Sequence, residues 1–176
     1  MIKYIYQDIL SVFRFLPMAL VIGIPVSIVA LWVERKLRGA EKKVRVMPVA
    51  ALCIYLAVIV LITLLSRESG GSKVIDLKLF STWGINKRNN ALVIENVLLF
   101  IPYGFISCFA FRGMRHIWSC TAFGMATSVG VECLQLVTGR GFFQLDDILT
   151  NTLGAMLGSM VYLLFFRKRT KTDEDS

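Results

Sequence analysis

The fold of this chain is decided by the stretch Val46–Leu65, which reads VMPVAALCIYLAVIVLITLL and contains no charged residue. An α-helix of about 20 apolar residues spans the roughly 30 Å hydrocarbon core of a bilayer. Four further apolar runs have similar lengths, so five spans are predicted, at residues 16–33, 46–65, 91–111, 117–137 and 148–166. The sequence therefore predicts an all-α, polytopic bundle of five transmembrane helices.

The composition excludes several classes of protein. Of the 176 residues, 56% are hydrophobic and 18% are charged, and the spans leave no stretch long enough for a separate soluble domain. A soluble enzyme, a disulfide scaffold, a disordered chain and a DNA-binding module are all excluded. The four cysteines fall within apolar runs and lack zinc-like spacing. No metal and no cofactor is expected.

The basic residues predict the orientation of the spans. The net charge of +8 comes mainly from clusters beside span ends, which is typical of membrane topology signals and not of nucleic-acid binding. With the N-terminus outside, the inner segments hold twelve Lys and Arg and the outer segments hold eight. The positive-inside rule thus predicts an outer N-terminus and a cytoplasmic C-terminus, with membrane lipids as partners. Residues 1–15 mix aromatic and charged side chains and are compatible with a short interfacial helix.

Polar side chains of the last three spans concentrate at one face of the predicted membrane. In an up-and-down topology, the start of the third span, the end of the fourth and the start of the fifth lie on the same side, which the charge count makes extracytoplasmic. Because polar groups are costly in hydrocarbon, they usually face the bundle and find partners there. We therefore expect an outward-opening polar pocket formed by Arg67, Asn96, Glu132, Gln135, Arg140, Asp146, Asp147 and Asn151.

Small residues and a proline predict how the helices around this pocket pack. Gly154 and Gly158 form a small-xxx-small surface, which lets two helix backbones approach closely. Pro102 lies in the middle of the third span and Gly104 follows it. Proline removes one helical hydrogen bond, so we expect a kink that opens the bundle around Asn96.

The candidate residues suggest acid–base chemistry on a bound headgroup. Glu132 is the preferred catalytic base, with Asp146 or Asp147 as the second choice. Arg67, Asn96, Gln135, Arg140 and Asn151 are predicted to bind the substrate, the arginines through forked hydrogen bonds. Two alternatives stay open: either aspartate caps the last helix, or the carboxylates hold a divalent cation. No Ser or Cys nucleophile has a neighbouring His, which argues against a catalytic triad.

The last three spans contain an ordered set of motifs. The third span contains Asn96-x-x-x-Phe100-x-Pro102-x-Gly104. The later part of the pattern is Glu132-x-x-Gln135, then Arg140, then Asp146-Asp147-x-x-x-Asn151-x-x-Gly154-x-x-x-Gly158. In this order, the motifs resemble those of the VanZ-like membrane proteins over roughly residues 50–166. The resemblance implies a VanZ-like domain over 46–166. An N-terminal segment with the first span and a basic loop (1–45) precedes this domain, and a charged cytoplasmic tail (167–176) follows it.

The resemblance also implies a multi-pass protein of the bacterial plasma membrane. A member of that family confers teicoplanin resistance without replacing the peptidoglycan terminus. We therefore expect a protein that binds or modifies a headgroup of the envelope, such as a lipid-linked envelope precursor. The alternative is a non-catalytic membrane factor whose polar cluster is structural, and which alters surface access or docks envelope enzymes. A small transporter ranks last, because the inner halves of the spans lack polar residues and no inverted repeat is visible.

Overall fold

Five long helices form the bundle, and each contains a segment long and apolar enough to cross a membrane. The computed structural model describes residues 1–38, 45–65 and 75–172. The helices are α1 (Ile2–Arg38), α2 (Val46–Leu65), α3 (Lys87–Ala110), α4 (Ile117–Thr138) and α5 (Leu145–Thr172). A short 3₁₀ turn (Arg112–Arg115) joins α3 to α4, and two-residue strands lie at β1 (Ile75–Asp76) and β2 (Phe143–Gln144). This architecture confirms the predicted all-α membrane bundle.

The predicted and observed helix boundaries agree best where the helix begins and ends with its apolar run. The predicted span 46–65 coincides with α2, and α4 extends one residue beyond its span. In contrast, α1 begins at Ile2, so the N-terminal residues continue directly into the first spanning helix, through Pro17 and Pro25. The first turn of α3 precedes its apolar run because the side chain of Asn86 accepts a hydrogen bond from the Asn89 N–H (2.8 Å) and caps the helix.

The core of the bundle lies between α2, α3, α4 and α5. Phe100 and Tyr103 of α3 are fully buried, and they pack with residues such as Ile59 of α2 and Ala155 of α5. Large apolar side chains on the outside stay exposed, among them Trp118 on α4. In water such a surface would be costly, whereas a bilayer solvates it, so this pattern agrees with membrane insertion.

Helices α3 and α5 approach closely because glycines line their contact. A Cβ atom added at Gly154 would collide with the backbone carbonyl of Val97, and one at Gly158 with that of Ile101. Gly104 faces the backbone of Ala155 in the same way. The small-xxx-small pattern thus predicted the close packing of α5, and the structure identifies α3 as its partner.

One end of the bundle carries the candidate site, and we call it the polar end. It is the end at which α2 and α4 finish and at which α3 and α5 begin. Here β1 and β2 form a parallel pair, with Ile75 opposite Phe143 and Asp76 opposite Gln144. The pair ties the segment before α3 to the short connection between α4 and α5.

Candidate functional site

The polar end is organised by a hydrogen bond between α3 and α5. The side-chain nitrogen of Asn96 donates to the Oδ1 atom of Asp147 over 2.8 Å. Asp147 is buried and lies in the first turn of α5, whose free N–H groups favour a negative charge. The contact requires the close approach of the two helices, since both side chains are short.

Glu132 on α4 is buried at the same end, with 1% of its surface exposed. Its Oε2 atom accepts a hydrogen bond from the backbone N–H of Gln144 in β2 (3.0 Å). Gln135 lies one turn farther along the same face of α4 and is also buried. Both residues therefore point into the bundle, as their spacing predicted.

A deeper contact joins α4 to α5. The side-chain nitrogen of Asn151 donates to the Oγ atom of Ser128 over 2.8 Å, and both residues are buried. Ser128 is not among the predicted site residues, because a serine within a span carries little signal of its own. Its position four residues before Glu132 places it on the same helix face and was the available clue.

Two buried amide oxygens of this cluster lack hydrogen-bond partners within the described part of the chain. They are Oε1 of Gln135 and Oδ1 of Asn151. Almost all buried polar groups in proteins are hydrogen-bonded, so such exceptions need a physical explanation. Both side chains belong to the predicted binding set.

Arg140 lies at the edge of the cluster. Helix α4 ends at Gly139, whose backbone adopts the left-handed conformation (φ 64°), and the Arg140 N–H then bonds back to the Gln135 carbonyl (3.0 Å). The Arg140 guanidinium is half-buried and donates to the Leu64 carbonyl at the end of α2 (3.4 Å). Arg67, the other predicted arginine, lies outside the described residues.

Asp146 faces the segment before α3 and not the cluster of Glu132 and Asn151. Its Oδ1 atom accepts from the Phe80 N–H (2.7 Å) and its Oδ2 atom from the Thr82 N–H (2.9 Å), with the Ser81 hydroxyl at 3.4 Å. Phe80 has a positive φ of 59°, which is unfavourable for an aromatic residue. These bonds to Asp146 hold the segment in that conformation, so the carboxylate has a clear structural role.

A second aspartate stabilises the same segment from within. Asp76 accepts hydrogen bonds from the Lys78 N–H (3.0 Å) and the Ser81 hydroxyl (2.8 Å). These bonds, with the nearby Lys78 charge, hold the pKa of Asp76 below its ordinary value. Ser81 therefore lies between Asp76 and Asp146 and connects β1 to α5.

The structure thus places five of the eight predicted site residues together at the polar end, two of them predicted as catalytic and three as binding residues. The shared cluster consists of Asn96, Ser128, Glu132, Gln135, Asp147 and Asn151, which we call the polar cluster. Its hydrogen-bonding atoms are oxygen acceptors and amide donors. Within the described ranges, no group of three or more His, Cys, Asp or Glu residues is placed to hold a metal ion.

The match to a protein family decides the classification. The family model VanZ/LLP1 matches residues 52–166, which include all members of the polar cluster. The chain belongs to the VanZ/LLP1 family. Among the proteins of the VanZ/LLP1 family, it is similar to Protein VanZ of Enterococcus faecium, with 31% identity over 70 residues. That match covers 40% of this chain and 43% of the relative, so it spans less than half of either protein. No solved structure matches the chain.

Proposed function

We propose that this VanZ-family protein binds the polar headgroup of an envelope lipid, or of a lipid-linked precursor, at the outward end of its bundle in the bacterial plasma membrane. The observation that carries the proposal is the polar cluster itself. Helices α4 and α5 contribute buried carboxylates and amides to this end of the bundle, and α3 adds the half-buried Asn96, whereas a membrane helix ordinarily avoids such groups. Polar residues of this kind within a membrane protein mark a functional site by default.

Binding is the core of the proposal, and chemistry on the headgroup is its extension. Glu132 and Asp147 are the candidate bases, because buried carboxylates beside amide groups can accept a proton from a positioned substrate. Asp146 is the weaker candidate, since both of its oxygens accept hydrogen bonds from the segment before α3. Arg140 suits a phosphate at the edge of the site. A contribution to teicoplanin tolerance would follow if the bound headgroup belongs to the cell-wall machinery.

The binding proposal is tested on purified, full-length protein by native mass spectrometry with envelope lipids. We expect Glu132→Gln to lower lipid retention at least tenfold, because the change removes the charge and keeps the shape. Cys133→Ala is the matched control, since Cys133 is the next residue and is exposed. Equal retention by wild-type and Glu132→Gln protein would refute the proposal.

The outward orientation is tested separately in intact cells with a membrane-impermeant thiol reagent. The exposed Lys87 lies at the polar end, and Gly113 lies in the turn at the other end. In a Cys133→Ala background, we expect labelling of Lys87→Cys and no labelling of Gly113→Cys from outside. The reverse result would place the polar end in the cytoplasm.

The non-catalytic alternative rests on the dense bonding around Asp146 and Asp147, which suits a structural network. It predicts that Glu132→Gln reduces the amount of folded protein and leaves the activity per molecule unchanged. Lipid-linked envelope precursors should be compared in cells with wild-type, deleted and Glu132→Gln protein. A precursor profile that differs between wild-type and Glu132→Gln cells at equal protein level supports catalysis, and identical profiles in all three strains refute it.

A further inference from the structure

The two unpartnered oxygens of the polar cluster identify the chemistry of what it binds. Gln135 and Asn151 are 1% and 3% exposed, and in the described residues neither Gln135 Oε1 nor Asn151 Oδ1 receives a hydrogen bond. A buried acceptor that loses water without gaining a donor is strongly unfavourable. Two of them in one cluster indicate a place where a bound molecule supplies the donors.

The two oxygens lie at different levels along α4. Asn151 contacts Ser128, which lies seven residues before Gln135 on α4, so the two levels are separated by about 10 Å along the helix axis. Glu132 lies between these levels on the same helix face. Arg140 follows Gln135 beyond the end of α4. We call the end of α4 the rim. From the rim inward, the protein groups are therefore the Arg140 guanidinium, the Gln135 amide oxygen, the Glu132 carboxylate and the Asn151 amide oxygen.

Three donors of the described cluster are used within it. The Asn96 nitrogen donates to Asp147, the Asn151 nitrogen donates to Ser128, and the Gln144 N–H donates to Glu132. The buried unpartnered atoms that the cluster offers to a ligand are the two amide oxygens. A phosphate or a quaternary ammonium brings no N–H or O–H to such a place, whereas a primary ammonium or a hydroxyl does.

We propose that the polar cluster selects headgroups ending in a hydrogen-bond donor, a primary ammonium or a hydroxyl, which enters beyond Gln135 while the phosphate stays at Arg140. This inference rests on the proposed headgroup binding and makes it specific. The order of groups in ethanolamine phosphate or glycerol phosphate matches the order of protein groups from the rim inward. Choline phosphate has the same phosphate but no donor at its end.

The test uses purified, full-length protein and short-chain lipids that share acyl chains. Dissociation constants are measured for phosphatidylethanolamine, phosphatidylglycerol and phosphatidylcholine. We expect at least one of the first two to bind tenfold or more tightly than phosphatidylcholine, and the tighter one tells whether the donor is an ammonium or a hydroxyl. Equal affinity for all three lipids would overturn the inference.

A substitution of similar size separates donor selection from steric exclusion. Gln135→Met removes the acceptor and keeps the length of the side chain. We expect the donor lipid to bind about tenfold more weakly, whereas the affinity for phosphatidylcholine stays unchanged. The ligand-free protein should be at least as heat-stable as wild type, because a buried unpaired oxygen has been removed. Thr152→Val is the control, since the Thr152 hydroxyl bonds to Ile148 within α5. A loss of heat stability in Gln135→Met would mean that Gln135 serves the fold, and would overturn the inference.

The two proposals fail in different ways. If no lipid binds, or if Glu132→Gln binds like wild type, headgroup binding itself is refuted. If Glu132→Gln loses lipid but Gln135→Met weakens all three lipids equally, headgroup binding stands and donor selection is refuted.

Discussion

The side-chain nitrogen of Asn96 lies 2.8 Å from the Oδ1 atom of Asp147, although 51 positions separate the two residues in the chain. The bond crosses the same helix pair whose glycines permit backbone contact, Gly154 against Val97 and Gly158 against Ile101. Close packing along α3 and α5 thus fixes the geometry of the polar end.

The bond between Asn96 and Asp147 should appear as a coupling energy. Replacing Asn96 and Asp147 by alanine, singly and together, gives a double-mutant cycle. A hydrogen bond to a charged group contributes about 1.5–3 kcal/mol, so we expect a coupling of that size. Reversible unfolding in detergent measures it, and strictly additive effects would mean that the two side chains do not interact.

The contact of α5 with α3 should be sensitive to a single methyl group. In Gly158→Ala the new Cβ meets the Ile101 carbonyl, and overpacking of this kind costs about 1–3 kcal/mol. Gly130→Ala is the matched control, because no heavy atom lies within 4 Å of the added Cβ. Unfolding midpoints should fall for Gly158→Ala and stay equal or rise for Gly130→Ala. A stable Gly158→Ala protein would contradict the close packing.

Asp146 should hold the segment before α3. In Asp146→Asn one carboxylate oxygen becomes an amide nitrogen, which faces a backbone N–H and cannot accept from it. We expect a loss of about 1–3 kcal/mol and faster hydrogen exchange of the Phe80 and Thr82 amides. Thr150→Val, which removes a hydroxyl bonded to the Asp146 backbone carbonyl, should leave that exchange unchanged. Protection at wild-type level in Asp146→Asn would exclude the proposed role.

The pH dependence of this segment should follow Asp76. Its pKa is lowered in the folded protein by the Lys78 N–H and the Ser81 hydroxyl. The ionised form therefore stabilises the fold above the unfolded pKa of about 3.9, and this contribution is lost as the pH falls through the lower, folded value. Carbon NMR of the Asp76 carboxyl should titrate below its ordinary range, and Ser81→Ala should move the midpoint upward. A midpoint at the ordinary value would show that these bonds are absent.

Local sequence patterns predicted the helices well, because a helix surrounded by lipid needs apolar side chains along its whole spanning length. The run 46–65 gave α2 without error, and Gly154 with Gly158 predicted that α5 packs closely against another helix, which the structure shows to be α3. The same patterns could not predict the length of α1, since Ile2–Phe15 mixes polar and apolar residues. The cap at Asn86 was a visible signal that extends α3 toward its N-terminus.

The sequence predicted which residues belong to the site more readily than which groups they bond to. The set containing Asn96, Glu132 and Asn151 was found because polar groups in spans are rare. The bond between Asp146 and the Phe80 N–H depends on a segment 66 residues away in the chain. The bond between Glu132 and the Gln144 N–H depends on the position of β2. Such contacts involve backbone groups, which carry no sequence signal.

The central claim is that the polar cluster holds a headgroup, and the most direct test is an experimental structure of the full-length protein in nanodiscs of its own membrane lipids. We predict headgroup density within hydrogen-bond distance, about 3 Å, of at least one of the two oxygens, Gln135 Oε1 or Asn151 Oδ1. A cluster whose amide oxygens are bonded only to protein side chains, with acyl chains alone outside it, would contradict the account.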